Sequence, residues 1–156
     1  MTSDFCSSTL AINFRAHGGE GVCAADETFN YYKWTSGEAD EQTKGIFVTY
    51  KLPSNFKEFV AGSTSLYGLT DSDDSTVKLQ VYKKNSSSSA LVTCGTNTQI
   101  AIGDLSEWHK ETLTGTSDPS DCEFSAGDSI IFKVNLSAAS NASAYASTLD
   151  FAYSIR

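Results

Sequence analysis

At 156 residues the chain is long enough to bury a core and short enough to form one domain. Its formal charge of −8 disfavours nucleic acid and anionic membrane as partners, because phosphate binding needs clustered Lys and Arg and no basic patch is visible along the sequence. No segment has the roughly 18 apolar residues of a membrane-crossing helix, and Met1-Thr-Ser-Asp-Phe-Cys6 lacks the basic and apolar regions of a signal peptide.

Thr9 to Ala16 alternates Leu10, Ile12, Phe14 and Ala16, an amphipathic strand. His17-Gly-Gly-Glu-Gly21 ends it as a flexible loop, since no Lys-Ser/Thr follows to make a phosphate loop. Phe29 to Trp34 reads as a strand, Ser36 to Thr43 as an acidic loop, and Gly45 to Pro53 as a strand closed by proline. Ser54 to Lys57 is a connection and Glu58 to Leu69 an extended run. Thr70 to Thr76 is a loop, Val77 to Tyr82 alternates again, and Lys83 to Ser89 is a low-complexity tip.

Ala90 to Cys94 and Thr98 to Ile102 read as two short strands, and Glu107 to Thr114 as another. Ser125-Ala-Gly-Asp128 is a turn that feeds the β-branched and aromatic run Ser129 to Val134. Its expected ladder partners are Trp108 to Thr114 or Thr148 to Ile155. Ser137 to Ala146 is expected to be a loop. The terminus alternates Leu149, Phe151, Tyr153 and Ile155 inward.

About eight short strands separated by turns give an all-β fold, an antiparallel β-sandwich of jelly-roll type, with a closed barrel as the alternative. Residues 1–25 are expected to form an N-terminal strand or arm and residues 26–156 the sandwich, one domain overall.

Cys6, Cys23, Cys94 and Cys122 allow three pairings. Cys6 with Cys23 and Cys94 with Cys122 each close a short loop and are preferred; buried free thiols are the alternative. Without Cys-x-x-Cys, and with only two histidines, a zinc site is poorly supported. Asp71, Asp73 and Asp74, with Asp104, could supply oxygen ligands to a structural calcium, although the EF-hand glycine and glutamate are missing. No other cofactor is expected.

Neither His17, His109 nor the pair Glu107 and Glu111 forms a recognisable catalytic pattern, and no Gly-x-Ser-x-Gly elbow occurs, so no enzyme is expected. Trp34, Trp108, Tyr31, Tyr32, Tyr67 and Tyr82 could form a platform for sugar rings; burial in the core is the competing use for such rings.

The order Gly45-Ile-Phe-Val-Thr-Tyr-Lys-Leu-Pro53, Ser106-Glu-Trp-His-Lys-Glu-Thr-Leu113, Phe124-Ser-Ala-Gly-Asp-Ser-Ile-Ile-Phe-Lys-Val134 and the alternating terminus resembles small jelly-roll structural proteins of tailed bacteriophage virions. The resemblance implies a non-enzymatic capsid decoration (cement) protein or appendage on the virion surface. Its partners would be capsid or tail proteins and further copies of itself, a trimer being the expectation. In that setting Leu10, Ile12 and Phe14 would contact a neighbouring subunit, since an apolar edge strand resists being left unpaired. The alternative is a secreted, extracellular carbohydrate-binding β-sandwich whose partner is a glycan.

Overall fold

The computed structural model describes residues 31–100, 105 and 107–156, and the backbone of two strands in the N-terminal segment. In chain order the strands are β1 (Ser3–Phe5), β2 (Ser8–Asn13), β3 (Tyr31–Ser36), β4 (Gln42–Lys51), β5 (Phe56–Phe59), β6 (Ser65–Thr70) and β7 (Ser75–Lys84). They continue with β8 (Leu91–Ile100), β9 (His109–Thr112), β10 (Ser129–Ala138), β11 (Ser143–Asp150) and β12 (Tyr153–Ile155). Among the described residues the only helical turns are two one-turn 3-10 helices, Gly115–Ser117 and Pro119–Asp121.

A six-stranded sheet in the order β1-β2-β3-β11-β6-β9 faces a four-stranded sheet in the order β4-β10-β7-β8, and β12 pairs with β5 in a small third sheet. Every pairing is antiparallel. The protein is an all-β, jelly-roll-like sandwich.

Alternation along the strands decides what lies between the sheets. On β10 Ile130, Phe132, Val134 and Leu136 are buried and pack with Val77, Leu79 and Val81 of β7. Trp34, Leu66, Ala144 and Ala146 meet them from the six-stranded sheet. Each large side chain so removed from water contributes about 1.5–3 kcal/mol. Trp34 keeps its polar edge satisfied by donating from Nε1 to the Gln42 carbonyl, 2.9 Å away.

Several expectations from the sequence need correction. The run from Ser129 pairs with β4 and β7, not with the segments around Trp108 or Thr148. Both true partners are ten-residue strands, and they satisfy all of β10, which the four-residue β9 could not. The polar stretch from Ser137 to Ala146 is not a loop: β10 runs to Ala138 and β11 starts at Ser143, leaving a tight turn with Ser140 and Asn141 at positive φ. Ser54 to Lys57 does not stay a connection, because β5 begins at Phe56.

The regions around Ala90 and Thr98 form one strand, β8, kinked by a bulge where Cys94 to Thr98 passes Leu79 to Val81. The terminal alternation is split between β11 and β12. Leu149, Phe151 and Tyr153 pack on the core, but Ile155 is 57% exposed, because the chain leaves the large sheet after Asp150 to pair with β5.

In the N-terminal segment β2 lies between β1 and β3, with Leu10 opposite Trp34 and Ile12 opposite Tyr32. Its backbone ladder is thus filled on both sides over Ser8–Leu10, while Ala11, Ile12 and Asn13 pair with β3. Phe14 lies outside the described residues.

Candidate functional site

Cys94, at the bulge of β8, is disulfide-bonded to Cys122, with Cα atoms 5.9 Å apart. The bridge ties the sheet to the segment entering β10. Cys6 and Cys23 fall outside the described residues.

Among the described residues no three His, Cys, Asp or Glu side chains are grouped so as to hold a metal ion. Asp71 Oδ1 accepts the Ser143 backbone N–H at 2.6 Å, which pins the β6–β7 turn to β11. Asp73 and Asp74 sit exposed in that turn, and Asp104 is outside the described residues. His109 and Glu111 stand on β9 opposite Gly68 and Leu66, Glu107 is exposed ahead of that strand, and His17 is outside the described residues.

The aromatic residues divide between three places. Trp34 and Tyr32 serve the core. Tyr82 stands on the outward face of the four-stranded sheet, in register with Ile131. Tyr31, Tyr67 and Trp108 belong to the outward face of the six-stranded sheet, and there they meet a ring that sequence reasoning missed, Tyr145 of β11.

Tyr31 and Tyr145 lie 5.7 Å apart edge to face, Tyr31 and Trp108 6.0 Å apart, and Trp108 and Tyr145 6.4 Å apart. These are the spacings and tilts that aromatic quadrupoles favour. The register explains the meeting. Lys33, Tyr145 and Leu69 form one row across β3, β11 and β6, and Trp108 precedes His109, which pairs with Gly68. Lys33 Nζ stands 5.2 Å from the Tyr145 centroid and Lys110 Nζ 5.5 Å from that of Tyr67, both within cation–π range. Lys110 also lies 3.7 Å from Asp150.

Tyr145 and its ladder partner Leu69 are buried, whereas Tyr31, Tyr67 and Trp108 remain half-buried. The cluster therefore has a floor, Tyr145 and Leu69, and a rim of rings that still reach solvent. Tyr145 escaped notice because the serines and alanines around it suggested a loop. The alternation of Tyr145 between Ala144 and Ala146 was the signal that could have revealed it.

A second aromatic group closes the end of the sandwich beside the small sheet. Tyr50, Phe56, Phe59, Phe151 and Tyr153 lie with neighbouring centroids 5.1–6.5 Å apart. The Tyr50 hydroxyl is 2.7 Å from that of Tyr153, and this hydrogen bond, with some burial, raises the Tyr153 phenol above its ordinary value.

No protein-family model matches the chain, and neither does any curated protein. Solved structures resemble it to different degrees. One, described as "Structural basis for the promiscuous specificity of the carbohydrate-binding modules from the beta-sandwich super family", is 13% identical over 93% of this chain, with a TM-score of 0.50; this chain spans 53% of its length. Another, TmCBM61 in complex with β-1,4-galactotriose, is 9% identical over 99% of this chain and 88% of its own, with a TM-score of 0.46. A third, infectious bursal disease virus Gx strain, has a TM-score of 0.25. At 13% identity, what the first of these shares with the chain is the β-sandwich fold alone. The phage-specific resemblance finds no support among them.

Proposed function

We propose that this chain is a carbohydrate-binding β-sandwich module acting without catalysis, and that the outward face of the six-stranded sheet is where it holds a glycan. The observation that carries this reading is the cluster of Tyr31, Trp108 and Tyr145, with Tyr67 alongside, on a sheet face rather than in the core. A pyranose ring offers an apolar face of C–H bonds to a ring platform and a girdle of hydroxyls to flanking polar groups. Lys33, Lys110, Thr35 and Ser143 stand at outward positions on the same sheet, and the Thr35 and Ser143 hydroxyls are 2.8 Å apart.

The fold likeness to carbohydrate-binding modules supports the same reading over a capsid decoration protein. The Cys94–Cys122 bridge suits an extracellular place of action, since disulfides persist in oxidising surroundings.

Affinity electrophoresis against soluble neutral polysaccharides, among them β-glucans, galactan, xylan and mannan, tests the proposal. At least one should retard the protein, and Trp108→Ala should restore its free mobility. If no neutral glycan retards the chain, or if Trp108→Ala leaves retardation intact, this face is not the site.

A further inference from the structure

The 19 acidic residues of this chain outnumber its 11 basic ones, but the four-stranded sheet reverses that balance completely. β4, β7, β8 and β10, ten residues each, contain Lys44, Lys51, Lys78, Lys83, Lys84 and Lys133 and not one Asp or Glu. No basic run marks this in the sequence, because the lysines come from three separated strands and only the ladder order gathers them.

The register places four of these six outward, Lys51, Lys78, Lys84 and Lys133, whereas Lys44 and Lys83 take the positions opposite Leu136 and Ile130. With Ile130, Phe132, Val134, Val77, Leu79 and Val81 turned to the core, the alternate positions look outward. The outward rows read Gly45-Asn135-Lys78-Gln99, then Phe47-Lys133-Gln80, then Thr49-Ile131-Tyr82-Thr93, then Lys51-Ser129-Lys84-Leu91. Lys133 Nζ stands 5.7 Å from the Phe47 centroid, and a Cβ at Gly45 would lie 3.1 Å from Lys133 Cε and 3.6 Å from Asn135 Oδ1. These side chains therefore share one surface. Phe47 is 60% exposed. Among the described residues none of Lys51, Lys78, Lys84 and Lys133 is in an ion pair.

We infer that this face is a second binding surface, for an anionic polysaccharide whose sugars carry carboxylates. From Lys78 to Lys84 along β7 the lysines span roughly 20 Å at a rise of about 3.3 Å per residue, so one extended chain can meet them with carboxylates on several of its sugars. Between them stand Phe47 and Tyr82, surfaces for sugar rings. Asn135, Gln99, Thr49 and Thr93 can each donate to and accept from hydroxyls.

A nucleic acid strand fits less well. Phosphate is gripped bidentately by arginine, and the four strands of this face carry lysines but no arginine. The surface lies across the core from Tyr31 and Trp108, so its ligand and that of the six-stranded sheet can be tested separately.

The test is affinity electrophoresis and calorimetry of the full chain with polygalacturonate, neutral galactan and a single-stranded DNA oligomer, at low and physiological salt. Four proteins are compared: the native chain, Lys78→Gln with Lys133→Gln, Phe47→Ala, and Trp108→Ala. Circular dichroism checks that each variant is folded. The expected result is polygalacturonate binding that weakens with salt, falls about tenfold in the double lysine variant, falls also in Phe47→Ala, and survives Trp108→Ala. Three results would each overturn the inference: no polygalacturonate binding, binding indifferent to the lysine pair, or DNA binding at least as tight as polygalacturonate. Loss of neutral-glycan binding in Trp108→Ala alone bears on the other face and leaves this one standing.

Discussion

Gly95 and Thr116 approach so closely that no side-chain atom fits between them: a Cβ on Gly95 would overlap the Thr116 carbonyl oxygen. Gly95 has φ of +72° and occupies the bulge of β8, where Gln80 Nε2 lies within 3.4 Å of the carbonyls of Val81, Cys94 and Gly95. Thr96 and Ser117 then join hydroxyls at 2.6 Å. The bulge is thus the seat on which the 3-10 turn rests.

Gly95→Ala should destabilise by more than the ~1–3 kcal/mol of left-handed strain alone, since backbone must also move. Gly115, at φ of +54°, has open space where its Cβ would be, so Gly115→Ala should cost only that strain. Urea denaturation of the two variants checks the contrast. Equal losses would mean that Thr116 yields easily.

The Cys94–Cys122 bridge spans 28 positions of sequence. Closing a loop of that length in the unfolded chain is worth about 3.5 kcal/mol. Denaturation with and without reductant should show a loss of that order, and the Cys94→Ala, Cys122→Ala double variant should lose its sensitivity to reductant. A stability unchanged by reduction would show that the bridge adds nothing to the fold.

Asp128 sets a dependence on acid. Burial pushes its carboxyl up, but the backbone N–H groups of Ser125 and Ser86, each 2.9 Å away, and Lys83 Nζ at 3.3 Å outweigh that and hold it below the ordinary range. Lys83 is itself fixed by donating to the Glu123 carbonyl and by the Phe124 ring. A carboxylate depressed on folding contributes stability above its unfolded pKa, about 3.9, and that contribution disappears as pH falls through the lower folded value. Asp128→Asn should cost about 1–3 kcal/mol at neutral pH and flatten the fall in stability between pH 5 and 2. A variant whose acid limb matches the native protein would assign that limb to other groups.

The two layers and their core were legible where one strand carries its own instructions. In Ser129 to Val134 the turn residues and the β-branched run both point to a strand, and Ile130, Phe132 and Val134 are buried as the period of two requires. Pairing was not legible, because β10 meets β4 from 78 to 96 positions earlier and β7 from 45 to 63, in contacts that no local pattern encodes.

The candidate faces were hidden for the same reason. Tyr31, Trp108 and Tyr145 converge only through the strand order β3-β11-β6-β9. Lys51, Lys78 and Lys133 likewise form a surface only once β4, β10 and β7 lie side by side. Small polar residues misled most: β11 reads as a loop, yet Ala144 and Ala146 are buried where the two sheets come together.

The ring cluster on the six-stranded sheet separates support from contact, and one pair of variants exposes the difference. Tyr145 is 8% exposed and covers Leu69, which is 1% exposed, so removing the ring leaves a cavity and uncovers a leucine. Tyr145→Ala should therefore destabilise by roughly 3–5 kcal/mol, as for other buried aromatics. Trp108 lies on the rim and reaches solvent, so Trp108→Ala should cost less, about 1–2 kcal/mol for a partly buried ring. Binding should follow the opposite order per unit of stability lost. Trp108→Ala should abolish retention on a neutral glycan while the fold remains intact, and Tyr145→Phe should preserve both, because the floor needs the ring rather than the hydroxyl. Thermal melts followed by near-ultraviolet circular dichroism, paired with glycan retention, measure the two quantities in one set of proteins. If Trp108→Ala destabilises as strongly as Tyr145→Ala and retention falls only with folding, the cluster is a small outer core and not a platform.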